Sequence, residues 1–461
     1  MNDLASHPYE RFHEPHAARR AALACMVTLA VVLGIGRFAF TPLLPLMLHG
    51  AASGQPHLDI QQGGWLASFN YAGYFAGAVT CAALRTDPAR MVRVGLVATV
   101  LLTLAMGVTG QFWVWAVVRF VAGAVSAWTF VFASQWGLRR LAELGAHAWS
   151  GVIYTGPGVG IVGTGLLVSV AGGYGAQVGW IGFGVIGAVL AALVWPVFGD
   201  APRVKAAKLA AEKAAARAAA KTVGMTATAK ATTAKAATAN VASEKAAAAF
   251  QANVAQPHPA HAHPTPAAHR ADAFWLILLY GIPGFGYIIT ATFLPVIARH
   301  ALPGSAWPDL FWPMFGAALI VGALAGARLP THWDNRVLLA GCYVLQALGI
   351  ALGIVWPTAG GFSLGSILIG LPFTAITLFA MREARRLRGD DAAGLMGYAT
   401  AAYGIGQIAG PLVAAPIAAH TGSFSPALWL AALALLAGAA GLIAVAHVPR
   451  GRGRMPDCGC N

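Results

Sequence analysis

Twelve apolar runs of about 20 residues or more narrow what this chain can fold into more than any other feature. They lie near 21–48, 64–84, 91–110, 112–137, 149–171, 175–198, 274–297, 310–327, 337–356, 362–381, 395–419 and 427–448. A run of that length crosses the hydrocarbon core of a bilayer as a helix. Barrel strands would be ten-residue segments of alternating polarity, and the runs are continuous. Composition agrees: 58% of the residues are hydrophobic and 10% charged, against about 25% charged in soluble domains. The chain is expected to be an all-α polytopic membrane protein with twelve transmembrane helices. The first run is too long for a cleaved signal peptide and lacks a small-residue cleavage site after it, so it is expected to be retained.

The net charge of +14 does not point to nucleic acid, because Lys and Arg gather in the short connections. Arg11, Arg19 and Arg20 precede the first run. Arg85, Arg90 and Arg93 follow the second, Arg139 and Arg140 the fourth, Arg328 and Arg336 the eighth, and Arg382, Arg385, Arg386 and Arg388 the tenth. Arg450, Arg452 and Arg454 follow the last. The alternate connections hold Arg299 alone. The positive-inside rule places both termini in the cytoplasm. Between the sixth and seventh runs, residues 199–272 change composition, first Ala/Lys-rich and basic, then Pro/His-rich. This stretch lacks the apolar content for a core and reads as a cytoplasmic linker. The expected divisions are a cytoplasmic tail (1–20), a six-helix half (21–198), the linker (199–272), a second six-helix half (273–448) and a cytoplasmic tail (449–461). The linker's basic charge suits the anionic inner leaflet, so membrane lipids are expected partners. The five cysteines (Cys25, Cys81, Cys342, Cys458, Cys460) form no disulfide framework. His258, His261, His263 and His269, like the Cys458–Cys460 pair, read as solvated segments. No metal or cofactor is expected.

The two halves repeat. Gly36, nine residues before Pro45, matches Gly286, nine before Pro295. Arg90 and Gly95 match Arg336 and Gly341, Gly123 matches Gly370, and Gly158-x-Gly160 matches Gly404-x-Gly406. All these pairs fall at offsets of 246 to 250 residues. Two parallel six-span repeats are the signature of the major facilitator architecture, whose substrate site lies near the midplane between the halves.

Arg37 sits inside the first run, in Gly34-Ile35-Gly36-Arg37-Phe38-Ala39-Phe40-Thr41-Pro42-Leu43-Leu44-Pro45, with no acidic residue within ten positions. An arginine at that depth costs a few kcal/mol on insertion scales and faces a bundle interior or a watery cavity. In the repeat, Arg37 stands opposite Tyr287 and Arg119 opposite Ser366, so both intramembrane arginines belong to the first half. The acidic residues nearest the runs (Asp59, Asp87, Glu143, Asp309, Asp334, Glu383) lie at ends or in loops. Arginines without carboxylates favour an anionic or strongly polar solute. Asn70 and Tyr74 in the second run, Tyr287 in the seventh and Gln407 in the eleventh are the expected further substrate contacts. Tyr71 is polar enough to line the same cavity. Pro42, Pro45, Pro157 and Pro411 are expected to kink helices. Gly73-x3-Gly77 and Gly322-x3-Gly326 read as close-packing surfaces. Trp65, Trp113, Trp307 and Trp312 read as interfacial anchors. A membrane-embedded enzyme would need His, Asp or Glu clustered at membrane depth, and the runs lack such a cluster.

These residues resemble the major facilitator superfamily and, within it, the YbfB/YjiJ-type transporters of bacteria. The resemblance covers both halves and not the linker. It rests on residues 34–45, on Gly64-Trp65-Leu66-Ala67-Ser68-Phe69-Asn70-Tyr71-Ala72-Gly73-Tyr74, on Thr290-Ala-Thr-Phe-Leu-Pro295 and on Gly404-Ile-Gly406-Gln407-Ile-Ala-Gly410-Pro411. Arg119-x3-Gly123 is similar to a fourth-span motif associated with proton coupling. Gly156-Pro157-x2-Gly160 is similar to a fifth-span motif associated with export, which implies a gating role for Gly156. The superfamily's loop motif survives here only in part, as Asp87, Arg90 and Arg93 with Pro88 following Asp87, and the resemblance implies a gating role for Asp87. The resemblance implies a monomeric secondary active transporter of the inner (plasma) membrane, coupled to protons and moving a small organic solute by alternating access. The alternative is a transport-inactive sensor or scaffold that acts through the basic linker.

Overall fold

The computed structural model describes residues 15–49, 58–81, 83–84, 86–199, 267–326, 328–330, 332–388 and 392–447. Most of the 1–20 tail, residues 200–266 of the expected linker, and the 449–461 tail with Cys458 and Cys460 lie outside these residues.

The first half opens with α1 (Pro15–Leu29), which runs into a π-helical segment, Ala30–Phe38, and then into α2 (Phe40–His49). It continues with α3 (Ile60–Cys81), α4 (Pro88–Val108), α5 (Phe112–Glu143), the short α6 (Ser150–Ile153), α7 (Gly156–Ala171) and α8 (Gly175–Val194). The second half holds α9 (Ala267–Ala301), α10 (Pro308–Gly326), α11 (Asn335–Val355), α12 (Ala359–Gly370), α13 (Phe373–Arg388), α14 (Ala392–Thr421) and α15 (Ser425–His447). Helix α9 starts inside the stretch read as linker, because Ala267-Ala-His-Arg-Ala-Asp-Ala273 is made mostly of good helix formers.

Ten stretches among the described residues are long and apolar enough to cross a bilayer. One of them, Ser150–Gly199, has 50 residues, about 75 Å of helix if straight. It turns back at Gly172–Tyr174, where Gly175 takes φ +85°, and so makes two crossings. Helix α3 carries Gln61, Gln62, Ser68 and Asn70, yet its 22 residues reach about 33 Å. It packs lengthwise on both α5 and α14 and is the twelfth crossing.

Close approach of backbones holds the bundle together. A Cβ on Gly73 would strike the Phe120 carbonyl, and one on Gly77 would fall on Ala124, so α3 and α5 meet through the glycine pair. Gly34 of the π-helical segment and Gly160 of α7 likewise leave no room for a side chain between them. Gly322 and Gly326 do the same work against Leu371 and Ala375. The halves touch through α3 on α14 and α7 on α10.

The prolines act differently from one another. Pro45 and Pro411 lie inside α2 and α14. Pro157 instead falls in the first turn of α7, where a missing N–H costs nothing, while Pro42 sits in a helix that runs on from the π-helical segment, so its missing N–H leaves carbonyls of the preceding turn without their helical donor. Pro295 withholds a hydrogen bond from the Ala291 carbonyl one turn earlier. Thr41 Oγ1, from the other half, donates to that carbonyl at 2.9 Å. Thr41→Val should orphan it and lower the melting temperature by about 1–3 °C. An unchanged melt in differential scanning fluorimetry would show that this tie carries no weight.

Candidate functional site

The π-helical segment is buried throughout and presents Arg37 to the bundle interior, 5% exposed. Helices widened to the i→i+5 pattern are frequent at functional sites. Here the widening has visible support. Pro42 cannot donate to the Phe38 or Arg37 carbonyls a turn earlier, and Arg119 of α5 supplies donors to this stretch of backbone. Its Nη1 donates to the Gly36 carbonyl at 3.4 Å and its Nη2 to the Arg37 carbonyl at 3.3 Å. The Arg119 guanidinium also lies 4.6 Å from the centre of the Phe40 ring. Asn70 of α3 in turn donates from Nδ2 to the Arg119 carbonyl at 2.8 Å. Asn70 and Arg119 thus form a brace behind Arg37.

Arg37 reaches across to the other half. Its Nη2 donates to Gln407 Oε1 of α14 at 3.1 Å. Gln407 Nε2 donates to the Tyr287 hydroxyl of α9. Around the guanidinium stand the rings of Tyr74 (4.2 Å), Tyr71 (5.0 Å) and Phe38 (5.3 Å). Such contacts stabilise a desolvated cation by up to about 2 kcal/mol each. Tyr71 shares a 3.1 Å hydrogen bond with Thr292. Tyr287 continues into a row of rings, with Tyr403 6.0 Å away and Tyr280 5.0 Å beyond that, all near-parallel. Among the described residues, no carboxylate lies within ion-pair distance of Arg37 or Arg119. Arg37 Nε, Arg119 Nε and Asn70 Oδ1 are buried with no hydrogen-bond partner.

Of the residues singled out in the sequence, Arg37, Tyr74, Tyr287 and Gln407 converge on one point. Asn70 and Arg119 stand one layer behind. Asp87 lies apart, as the N-cap of α4 accepting from the Arg90 N–H at 3.1 Å. Gly156 packs against Met26 and Leu29 of α1. Trp65, Trp113 and Trp307 are exposed, as anchors would be. Trp312 is a correction: it is fully buried, stacked on Phe315 and 6.2 Å from Phe38 of the other half. Tyr280 and Tyr403 were missed. Helical spacing could have found them, since Tyr280 lies two turns before Tyr287 and Tyr403 one turn before Gln407.

A second buried polar group lies at the end of the second half. Glu383, 1% exposed, accepts from Arg386 Nη2 at 2.5 Å and Nε at 2.8 Å and from Asn335 at 3.3 Å, with Arg336 Nε 3.7 Å away. Arg336 also donates to Asp334 at 2.7 Å and to the Val445 carbonyl at 3.1 Å. Hydrogen bonds from Arg336 hold the Asp334 carboxyl below its ordinary 3.8. Its folded-state value is lowered, so its contribution is present above pH 3.8 and is lost as pH falls through the folded value. Asp334→Asn keeps a capping side chain but should melt below wild type at pH 7. The gap should close as the pH drops below 3.8. A gap that does not begin to narrow as the pH falls below 3.8 would exclude the charge as its cause.

Twelve crossings in two repeats, joined by a buried charged and aromatic cluster, define a major facilitator transporter. The chain belongs to the family described as uncharacterised MFS-type transporter YbfB, whose profile matches it twice, over residues 29–232 and 229–444. It is a multi-pass membrane protein and a secondary transporter of a small-molecule substrate, not an enzyme. No functionally curated protein matches it in sequence. Among solved structures it is similar to nucleoside transporter NupG. An aspartate-to-alanine variant of NupG shares 14% identity at a TM-score of 0.64, over 92% of this chain and 99% of that one. A second NupG structure shares 12% at 0.58, over 94% and 100%.

Proposed function

We propose that the chain moves a small organic anion by alternating access, with Arg37 as the group that receives the charge. What carries this reading is a buried guanidinium that crosses between the halves to an amide and has no carboxylate partner among the described residues. A charge at that depth is costly unless function requires it. Tyr74, Tyr287 and Gln407 line the place the anion occupies. Asn70 and Arg119 fix the backbone that presents Arg37. The halves, 21–198 and 273–448, rock about this point. Pro45 and Pro411 give the helices that bear it room to bend. The termini and the 199–272 linker face the cytoplasm, and the protein works as a monomer in the inner membrane. Protons drive the cycle, as the likeness of Arg119-x3-Gly123 to the proton-coupling motif implies, and the likeness of Gly156-Pro157-x2-Gly160 to the exporter motif gives export as the direction. The nucleosides named for NupG are uncharged and would leave Arg37 without a counter-ion, so they do not suit this site.

The test is counterflow in proteoliposomes loaded with a mixed pool of carboxylates, amines and neutral polar solutes, with and without an imposed pH gradient. Carboxylate exchange that responds to the gradient is expected. Exchange confined to amines or neutral solutes would overturn the reading.

A further inference from the structure

Gln407 Oε1 stands beside Arg37 Nη2, where one oxygen of a carboxylate would stand. The neighbouring Nε–H, on the same edge of the guanidinium, has no partner. Together, Nε–H and Nη2–H are the two prongs with which an arginine grips a carboxylate side-on. In this structure one prong is taken by an amide oxygen and the other is idle. Arg119 has both its Nη groups committed to main-chain carbonyls of the first span. Its Nε, like that of Arg37, has no partner, but those two bonds hold Arg119 behind Arg37, so Arg37 is the cation that faces the second half and meets the ligand. A second carboxylate at the far end of the ligand would lie among tyrosine rings with no cation beside it.

The walls say what the rest of the ligand is made of. Tyr74 lies across the guanidinium, and from Gln407 the rings of Tyr287, Tyr403 and Tyr280 run on stacked upon one another, at tilts of 20° and 25°. A flat π-system can take a place at the end of such a stack or replace one of its contacts, which a puckered aliphatic ring does less well.

Resting on the organic-anion reading above, we infer that the substrate is a monocarboxylate bearing an aromatic ring. Its carboxylate displaces Gln407 Oε1 and closes on Nη2 and Nε of Arg37, and its ring lies along Tyr74, Tyr287 and Tyr403. The displacement breaks one of the hydrogen bonds that tie the halves together, alongside Thr41–Ala291, Ser68–Ile408 and Tyr71–Thr292, so occupancy loosens the contact between them. Gln407 is then a competitor for Arg37 in the empty state and sets how tightly the anion is held.

Four probes on the purified full chain in detergent test this by thermal shift: benzoate, cyclohexanecarboxylate, benzamide and terephthalate. Benzoate should stabilise at concentrations about tenfold or more below the others, which lack the ring, lack the charge or carry a second charge. In Gln407→Leu the competitor is gone, and benzoate should bind about tenfold tighter, the scale of one hydrogen bond to a charged group. Equal stabilisation by benzoate and cyclohexanecarboxylate, lost in both when Arg37 becomes Gln, would overturn the aromatic assignment and leave the organic-anion reading standing. Weaker benzoate binding in Gln407→Leu would overturn the displacement. No response to any carboxylate would overturn both readings. The comparison among probes needs the wild-type chain alone, so it stands even where the variant fails to fold.

Discussion

Arg37→Gln should reduce carboxylate counterflow in proteoliposomes roughly a hundredfold or more, the scale of losing one partner of a buried, hydrogen-bonded charge pair. The same change should leave the melting temperature of the empty protein level or raised. The reason is the cost of the native arrangement: the guanidinium is 5% exposed and its polar link to the second half is an amide, not a carboxylate. Removing a charge so placed relieves desolvation. Loss of flux with retained stability is the pattern of a group kept for function. Arg37→Lys should recover little, because an ammonium lacks the planar fork. A melt that collapses in Arg37→Gln would instead make Arg37 a structural tie.

Arg119→Leu should show the opposite order of effects. Here two carbonyls, of Gly36 and Arg37, lose their donors inside the bundle. Each orphaned carbonyl costs about 1–3 kcal/mol, so the melting temperature should fall by several degrees. Affinity for the anion should fall with it, because the same two bonds fix the backbone that aims Arg37. A second readout separates coupling from scaffolding. If Arg119 also serves proton coupling, the residual flux should lose its response to the pH gradient. Full stability with full affinity in Arg119→Leu would contradict the brace. Read together, the two arginines form a dissociation: one change spares the fold and removes binding, the other loosens the fold and weakens binding as a consequence.

Much of this was legible because a bilayer leaves few alternatives. Polar side chains inside apolar runs are conspicuous, so Arg37, Tyr74, Tyr287 and Gln407 could be chosen one by one, and the repeat offset set Tyr287 opposite Arg37. Their mutual contacts were not legible. The Arg37–Gln407 bond joins residues 370 positions apart, and no local pattern encodes it. The π-helical register of Ala30–Phe38 has one local cause, Pro42, and tertiary ones that no local pattern shows, namely Arg119 reaching the carbonyls and the close passage of Gly34 by Gly160. Trp312 misled because a tryptophan near a span end suits an interface equally well on composition. Its burial depends on Phe38 arriving from the other half. For Asp87 the likeness to a loop motif implies gating, and its immediate geometry is that of a helix cap, a local feature that Asp87-Pro88 before an apolar run makes legible. Glu383, expected at a span end or in a loop, lies within α13 and is buried because Asn335, Arg336 and Arg386 close around it.

The most direct measurement is a thermal-shift titration of wild type and Arg37→Gln, side by side, with carboxylates, amines and neutral solutes. A ligand bound by the folded state alone raises the melting temperature by mass action. The account predicts that carboxylates stabilise wild type in proportion to concentration and leave Arg37→Gln unmoved, while amines and neutral solutes move neither. Stabilisation of both proteins alike by amines or neutral solutes, with carboxylates inert, would contradict it.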